Sequence, residues 1–108
     1  MLICGNTNKG HLGFVLARYL REICNVNVLF LDKKEKLDED FKINYFKILG
    51  NLKHDQNIIY TSDIIIDCML DNKIKGFVRE PHKGIILKYN DSKAYKIAID
   101  YPSGLNPD

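Results

Sequence analysis

Three short segments carry residue types that could do chemistry. Gly5-Asn6-Thr7-Asn8-Lys9-Gly10-His11-Leu12-Gly13 stands between a short apolar run and a helical pattern. Glycines at such a junction let backbone approach a ligand, and the start of the following helix offers unpaired N–H groups to an anion. Gly10 is followed by His11 and Leu12 rather than Lys and Ser or Thr, so the segment is not a P-loop, and it does not match GxGxxG. A tight turn that only starts a helix explains the bare pattern equally well. The second segment is Asp67, directly after Ile64-Ile65-Ile66, and the third is Asp100, which ends the run from Tyr95 to Ile99 and precedes Pro102-Ser103-Gly104. Either acid alone reads as a cap or a turn residue. Two carboxylates in one cleft could bind a cation, or one could act as a general base once its neighbours tune it.

The elements that must position these segments follow from hydrophobic periodicity. Leu2-Ile3-Cys4 is expected to be a buried strand. Apolar residues at Leu12, Val15, Leu16, Tyr19, Leu20 and Ile23 step by three and four, which predicts a helix packed through that stripe and closed near Asn25. Residues 26–31 suit a second buried strand. Phe41, Tyr45, Ile48 and Leu52 predict a helix within 38–52, and Ile58-Ile59-Tyr60 a short strand or extended lead-in. The triple isoleucine before Asp67 is the clearest strand. Pro81 suits the first turn of a helix with Ile85, Ile86 and Tyr89 on its inner face, and 95–99 forms the last strand. Strands alternating with helices predict an α/β fold, a Rossmann-like three-layer αβα sandwich with a mostly parallel sheet. Ligands bind such sheets outside the carboxyl ends of the strands, where the glycine loop, Asp67 and Asp100 all fall.

Composition narrows the function classes. A chain of 108 residues holds one domain, and 45% hydrophobic with 28% charged residues is ordinary for a soluble protein. A net charge of +2 argues for neither nucleic acid nor membrane, and the many lysines between Lys33 and Lys53 and between Lys73 and Lys96 read as solvated surface. No apolar run reaches the ~18–20 residues that span a bilayer. Cys4, Cys24 and Cys68 form no CxxC pair, which indicates neither a zinc site nor a disulfide framework and suits the reducing cytoplasm. His11, His54 and His82 lack metal-like spacing, and Cys68 is expected to serve packing.

Taken in order, four stretches resemble the NAD(P)H-hydrate epimerase (YjeF N-terminal) family. Cys4-Gly5, Asn8, Gly10, Gly13 and Ala17-Arg18-Tyr19-Leu20 are similar to its pattern CGxGNNGGDGLxxARxL. Asp63 to Leu70 resembles its DxxxDAxxG strand, Lys75-Gly76-Phe77-Val78-Arg79-Glu80-Pro81 its KGxVREP stretch, and Ile99 to Leu105 its IDxPSGL/W motif. The resemblance covers the whole chain. It implies a short version of the YjeF N-terminal fold over residues 1–108, reduced at both ends relative to the family. It also implies an isomerase that interconverts the R and S forms of hydrated NADH and NADPH, so that a partner NAD(P)H-hydrate dehydratase can repair the S form. By motif position Asp100 is the catalytic acid/base. Asn8, Lys9, Gly10, His11 and Leu12 would embrace the substrate, as would Asp71, Asn72, Lys73, Ile74, Lys75, Gly76 and Phe77. A potassium ion would be held at the positions of Lys9, Asp67 and Ser103.

Where the family reads NNGGD, this chain has Asn8-Lys9-Gly10-His11-Leu12, and Asp71 stands for a glycine. Lys9 therefore takes the place of a potassium ligand, and its ammonium could replace the ion and neutralise Asp67. The loop also resembles the CGxxxKGxxG of the family's non-catalytic scaffolds, which enhance mRNA decapping. Those scaffolds tend to lose the IDxPSG motif that Asp100 and Ser103 preserve here. A scaffold domain, or a nucleotide-binding module without turnover, is the alternative to the epimerase. An unpaired last strand would leave a sheet edge open, so a homodimer is expected.

Overall fold

The computed structural model describes residues 1–69 and 82–99. In chain order its elements are β1 (Leu2–Cys4), α1 (Asn8–Leu20), β2 (Val28–Phe30), α2 (Glu39–Lys47), β3 (Leu52–Lys53), β4 (Ile64–Cys68), α3 (His82–Asp91) and β5 (Tyr95–Ala98). The five strands form one parallel sheet in the order β3-β2-β1-β4-β5. The chain moves outward from β1 through β2 to β3, then crosses back to place β4 on the other side of β1. The direction of winding therefore reverses between β1 and β4, which opens a crevice at their carboxyl ends.

Strand alternation sends side chains to two cores, one on each face of the sheet. Leu2, Cys4, Val28 and Cys68 join Phe14 and Ala17 of α1 and Phe41 of α2 on one face. Ile3, Leu29, Ile65 and Met69 join Ile59 and Ile85 of α3 on the other. Helix, sheet and helix thus form the expected three-layer α/β sandwich. Side-chain caps set the starts of the helices on the first face. Thr7 Oγ1 accepts from Gly10 N at 3.0 Å to begin α1, and Asp38 Oδ1 accepts from Phe41 N at 2.8 Å to begin α2.

Several expectations are corrected. The fully buried face of α1 is Lys9, Gly10, Gly13, Phe14 and Ala17; of the expected stripe Leu16 and Leu20 pack partly buried against the core, while Leu12, Tyr19 and Ile23 do not. Tyr19 is 70% and Ile23 80% exposed, and the helix closes at Arg21 rather than near Asn25. Small residues at 10, 13 and 17 let α1 lie close on the sheet, and that contact outweighs the larger side chains on its flank. α2 ends at Lys47. Ile48 is still buried, but Leu52 belongs to β3 and pairs with Val28. Residues Gln56–Thr61 form a 3-10 helix rather than a strand, started by Asp55 Oδ1 accepting from Asn57 N and closed by Ser62 Oγ donating to Ile58 O. Those local side-chain bonds satisfy backbone groups at the two ends of the turn. β2 and β5 are each shorter than expected, and Pro81 lies outside the described residues.

Candidate functional site

The start of α1 is pressed onto the carboxyl ends of β1 and β4. Gly5 continues the ladder by donating its N–H to Cys68 O at 3.0 Å. A Cβ at Gly10 would collide with the carbonyl oxygen of Gly5, and one at Gly5 with that of Met69. One turn further on, a Cβ at Gly13 would stand 2.7 Å from Cys4 Sγ and 2.9 Å from Cys68 Sγ. The glycines of this loop therefore serve the close approach of the protein's own backbone and sulfurs. Asn6 ties the loop to the end of β2, its Nδ2 donating to Asp32 Oδ2 at 3.2 Å and to Lys36 O at 3.4 Å. Asp32 Oδ1 accepts from Lys33 N at 2.8 Å. Sequence reasoning passed over Asp32. Its signal was an acid directly after the apolar run 26–31, the same signal that singled out Asp67 and Asp100.

The five residues of the predicted substrate loop do not share one side of the helix. Lys9 and Gly10 face the sheet, and Lys9 is only 8% exposed. Asn8, His11 and Leu12 line a shallow depression of about 340 Å³ with Val15, and Leu12 is 43% exposed. His11 turns toward α2, stacking on Phe41 with ring centroids 4.6 Å apart and its Nε2 2.8 Å from Asn44 Nδ2. Arg18 donates to Asn44 Oδ1 at 2.8 Å, and because Arg has only donors this orients the amide with Nδ2 toward the imidazole. In that arrangement His11 Nε2 lies on the donor side of the amide.

Asp67 is the penultimate residue of β4, close to the carboxyl end where it was expected, with Cys68 still in the strand. The carboxylate is half-buried, and its Oδ1 accepts from Met69 N at 2.9 Å. Its charge is felt by two neighbours. Burial pushes the Cys4 thiol well above its ordinary value of 9.0, reinforced by its bond to Cys68 and then by Asp67. Burial, followed by Asp67, raises the Tyr89 hydroxyl from 10.0. Cys4 and Cys68 are register partners, both buried and both free, so Cys68 serves packing as expected. Asp67 and Lys9 form no ion pair; the one ion pair among the described residues joins Lys36 to Asp32 at 4.0 Å.

The donor set does not fit a potassium ion at Lys9. An ammonium has three donors and no lone pair to offer a cation. Asp67 supplies suitable oxygen, and Ser103 lies outside the described residues, as do Asp100 and the stretch from Asp71 to Phe77. Among the described residues no cluster of three metal-ligating side chains occurs, and no helix is long and apolar enough to cross a membrane. A larger cavity of about 550 Å³ opens at the opposite, amino ends of the strands, between Leu20, Cys24, Ser62, Ile64 and Ile97, and does not touch the loop.

Comparison with known proteins bears on the family and the fold. The family described as YjeF-related protein N-terminus matches residues 1–108. The chain is 30% identical over 115 residues to an NAD(P)H-hydrate epimerase of Nitrosopumilus maritimus, covering 99% of this chain and 54% of that one. It is 32% identical over 120 residues to an NAD(P)H-hydrate epimerase of Elusimicrobium minutum, covering 100% and 54%. A bifunctional NAD(P)H-hydrate repair enzyme of Archaeoglobus fulgidus is 33% identical over 112 residues, which are 99% of this chain and 23% of that enzyme. The chain thus spans about half the length of the epimerases and about a quarter of the bifunctional enzyme. The crystal structure of the yeast protein YNL200c superposes with a TM-score of 0.82 at 22% identity, over 95% of this chain and 47% of that one, and shares the fold.

Proposed function

Because the chain belongs to the YjeF-related N-terminal family, we propose that it is an NAD(P)H-hydrate epimerase, an isomerase acting on hydrated NADH and NADPH. The observation that carries the reading is the convergence of the Gly5–Gly13 loop, the buried Lys9 and the half-buried Asp67 on the crevice between β1 and β4. The relatives named as epimerases support the same chemistry. Inverting the hydroxyl-bearing carbon requires a bond there to be broken and remade, which calls for a group that gives and takes a proton. Asp100 is assigned that role. The loop around Asn8 to Leu12 and the stretch from Asp71 to Phe77 would hold the nucleotide, with Asp67 and Ser103 beside them. No step needs potassium, since Lys9 brings a fixed positive charge to the position the ion would take. A dehydratase acting on the S form is the functional partner, and a homodimer in the cytoplasm is the proposed state.

The test supplies R-form hydrated NADPH to the protein together with a separate S-specific dehydratase and follows NADPH regeneration. Conversion should exceed the spontaneous rate, fall on the order of 100-fold or more in Asp100→Asn, and be independent of potassium. A rate that climbs steeply with potassium would refute the Lys9 assignment. No acceleration at any potassium level would favour the non-catalytic alternative, to which the Lys9-Gly10 loop also corresponds. Sedimentation of the same sample as a monomer would remove the dimer.

A further inference from the structure

Asp32 stands at the carboxyl rim of the sheet, outside both cores. Leu31 N donates to Cys4 O at 2.9 Å, so the chain stays tied to β1 up to the residue before it. The Asp32 side chain is half-buried and held from two sides: Oδ2 accepts from Asn6 Nδ2 at 3.2 Å and Oδ1 from Lys33 N at 2.8 Å. Each carboxylate oxygen has two lone pairs, so these bonds leave an acceptor position on each. The ammonium of Lys36 lies 4.0 Å from Oδ1 but is 65% exposed, where solvent screens it. Asp32 is thus a fixed carboxylate with acceptor capacity to spare, beside the loop that follows β1.

The order of the strands decides what can reach it. In β3-β2-β1-β4-β5 the ends of β2 and β5 are separated by β1 and β4. At about 4.8 Å per strand that separation is about 14 Å, the scale of a dinucleotide extended between its two riboses. A ligand whose reacting ring meets the proton-transfer group assigned at the end of β5 therefore runs past β4 and β1 and brings its adenosine ribose to the end of β2. In dinucleotide-binding α/β sheets an acid about 20 residues beyond the glycine turn receives the hydroxyls of that ribose. Asp32 follows Gly13 at about that interval. The chain lacks the GxGxxG turn of those proteins, so placement rather than motif carries the likeness. Two vicinal hydroxyls can each donate to one carboxylate oxygen, whereas a 2′-phosphate would meet it with like charge.

We propose that Asp32 receives the hydroxyls of the adenosine ribose and makes the site selective for hydrated NADH over hydrated NADPH. This rests on the reading of the carboxyl-end crevice as a nucleotide site, and adds where the adenosine lies and which form of the substrate is preferred.

Calorimetric titration with three ligands tests it without turnover: ADP-ribose, ADP-ribose phosphorylated at the 2′ position of its adenosine ribose, and ADP-ribose lacking that 2′-hydroxyl. The wild type should bind ADP-ribose about 10-fold or more tightly than either of the others. In Asp32→Asn, ADP-ribose should weaken about 10-fold while the phosphorylated ligand gains, so that the preference disappears. A purely structural role for Asp32 would weaken both alike and keep their ratio, which overturns the proposal. So does a wild type that binds them equally, or that prefers the phosphorylated ligand through Lys34 and Lys36. Should Asp32→Asn not fold, the wild-type comparison of ADP-ribose with its 2′-deoxy analogue decides alone, and equal affinity overturns the proposal. Equal binding of all three by a protein that accelerates epimerisation removes this inference alone, whereas binding of none removes the nucleotide reading with it.

Discussion

The two flanks of the sheet are built differently. On the side of β1, α1, β2 and α2, three rings pack around Phe14: Phe41 at 4.8 Å and Phe30 at 5.4 Å, both edge to face, and Tyr45 at 5.9 Å. Under the same helix Gly10 and Gly13 leave no room for a Cβ. On the other flank β5 pairs with β4 through its ladder, yet all four of its residues are exposed and Tyr95 is 70% accessible. The loop that carries Lys9 is therefore held by interlocking contacts, while the strand that leads to Asp100 is held mainly by backbone hydrogen bonds. Precision at the site is concentrated in the first flank, where a rigid first turn keeps a buried lysine in place.

The contrast can be broken most severely at Gly10. Gly10→Ala puts a methyl group into the Gly5 carbonyl, backbone that cannot yield, and should cost more than about 4 kcal/mol, enough to unfold a marginal domain. Circular dichroism of a folded Gly10→Ala with near-wild-type stability would contradict the close approach. A sharper comparison sets Phe14→Ala against Tyr95→Ser in urea denaturation. The first should lose about 3–5 kcal/mol, the second should stay within about 0.5 kcal/mol. Comparable losses would mean that the β5 flank is packed after all.

The smallest effect concerns pH. The folded state holds the Cys4 thiol above its ordinary 9.0 and the Tyr89 hydroxyl above 10.0. For an acid raised by folding, the native state keeps its proton where the unfolded chain has lost it. The contribution is complete below the ordinary value and is lost as pH rises through the folded one. Urea midpoints should hold from pH 7 to about 8 and decline above about 9, and Cys4→Ala should flatten the first part of that decline. An unchanged slope in Cys4→Ala would assign the alkaline loss to other groups.

Much of the fold was legible in the residues. β1, β4 and α3 follow from short apolar runs and from Ile85, Ile86 and Tyr89, because a strand buried between two layers needs little more than contiguous β-branched or apolar residues, and the place of β5 follows from the run that starts at Tyr95. The packing face of α1 was not legible, since periodicity ranks Leu12, Tyr19 and Ile23 above Gly10 and Gly13, whereas close contact favours the smallest side chains. The 3-10 helix after Asp55 was hidden for a related reason: Ile58-Ile59-Tyr60 has strand composition, and the Asp55 and Ser62 side chains decide otherwise. Of the candidate site, the loop and Asp67 were found from their place beside strands, while Asp32 was missed although it carries the same signal.

By itself the sequence determined the α/β class, the parallel order implied by alternating elements, and the ends of the strands at which polar groups collect, because these depend on local periodicity and chirality. Only the tertiary structure decided that Lys9 is buried, that His11 and Leu12 line a depression away from the sheet, and that the glycines serve backbone contact. Those facts depend on the distance between α1 and the sheet, a quantity set by side chains from β1, β4 and α2 that are remote in the chain.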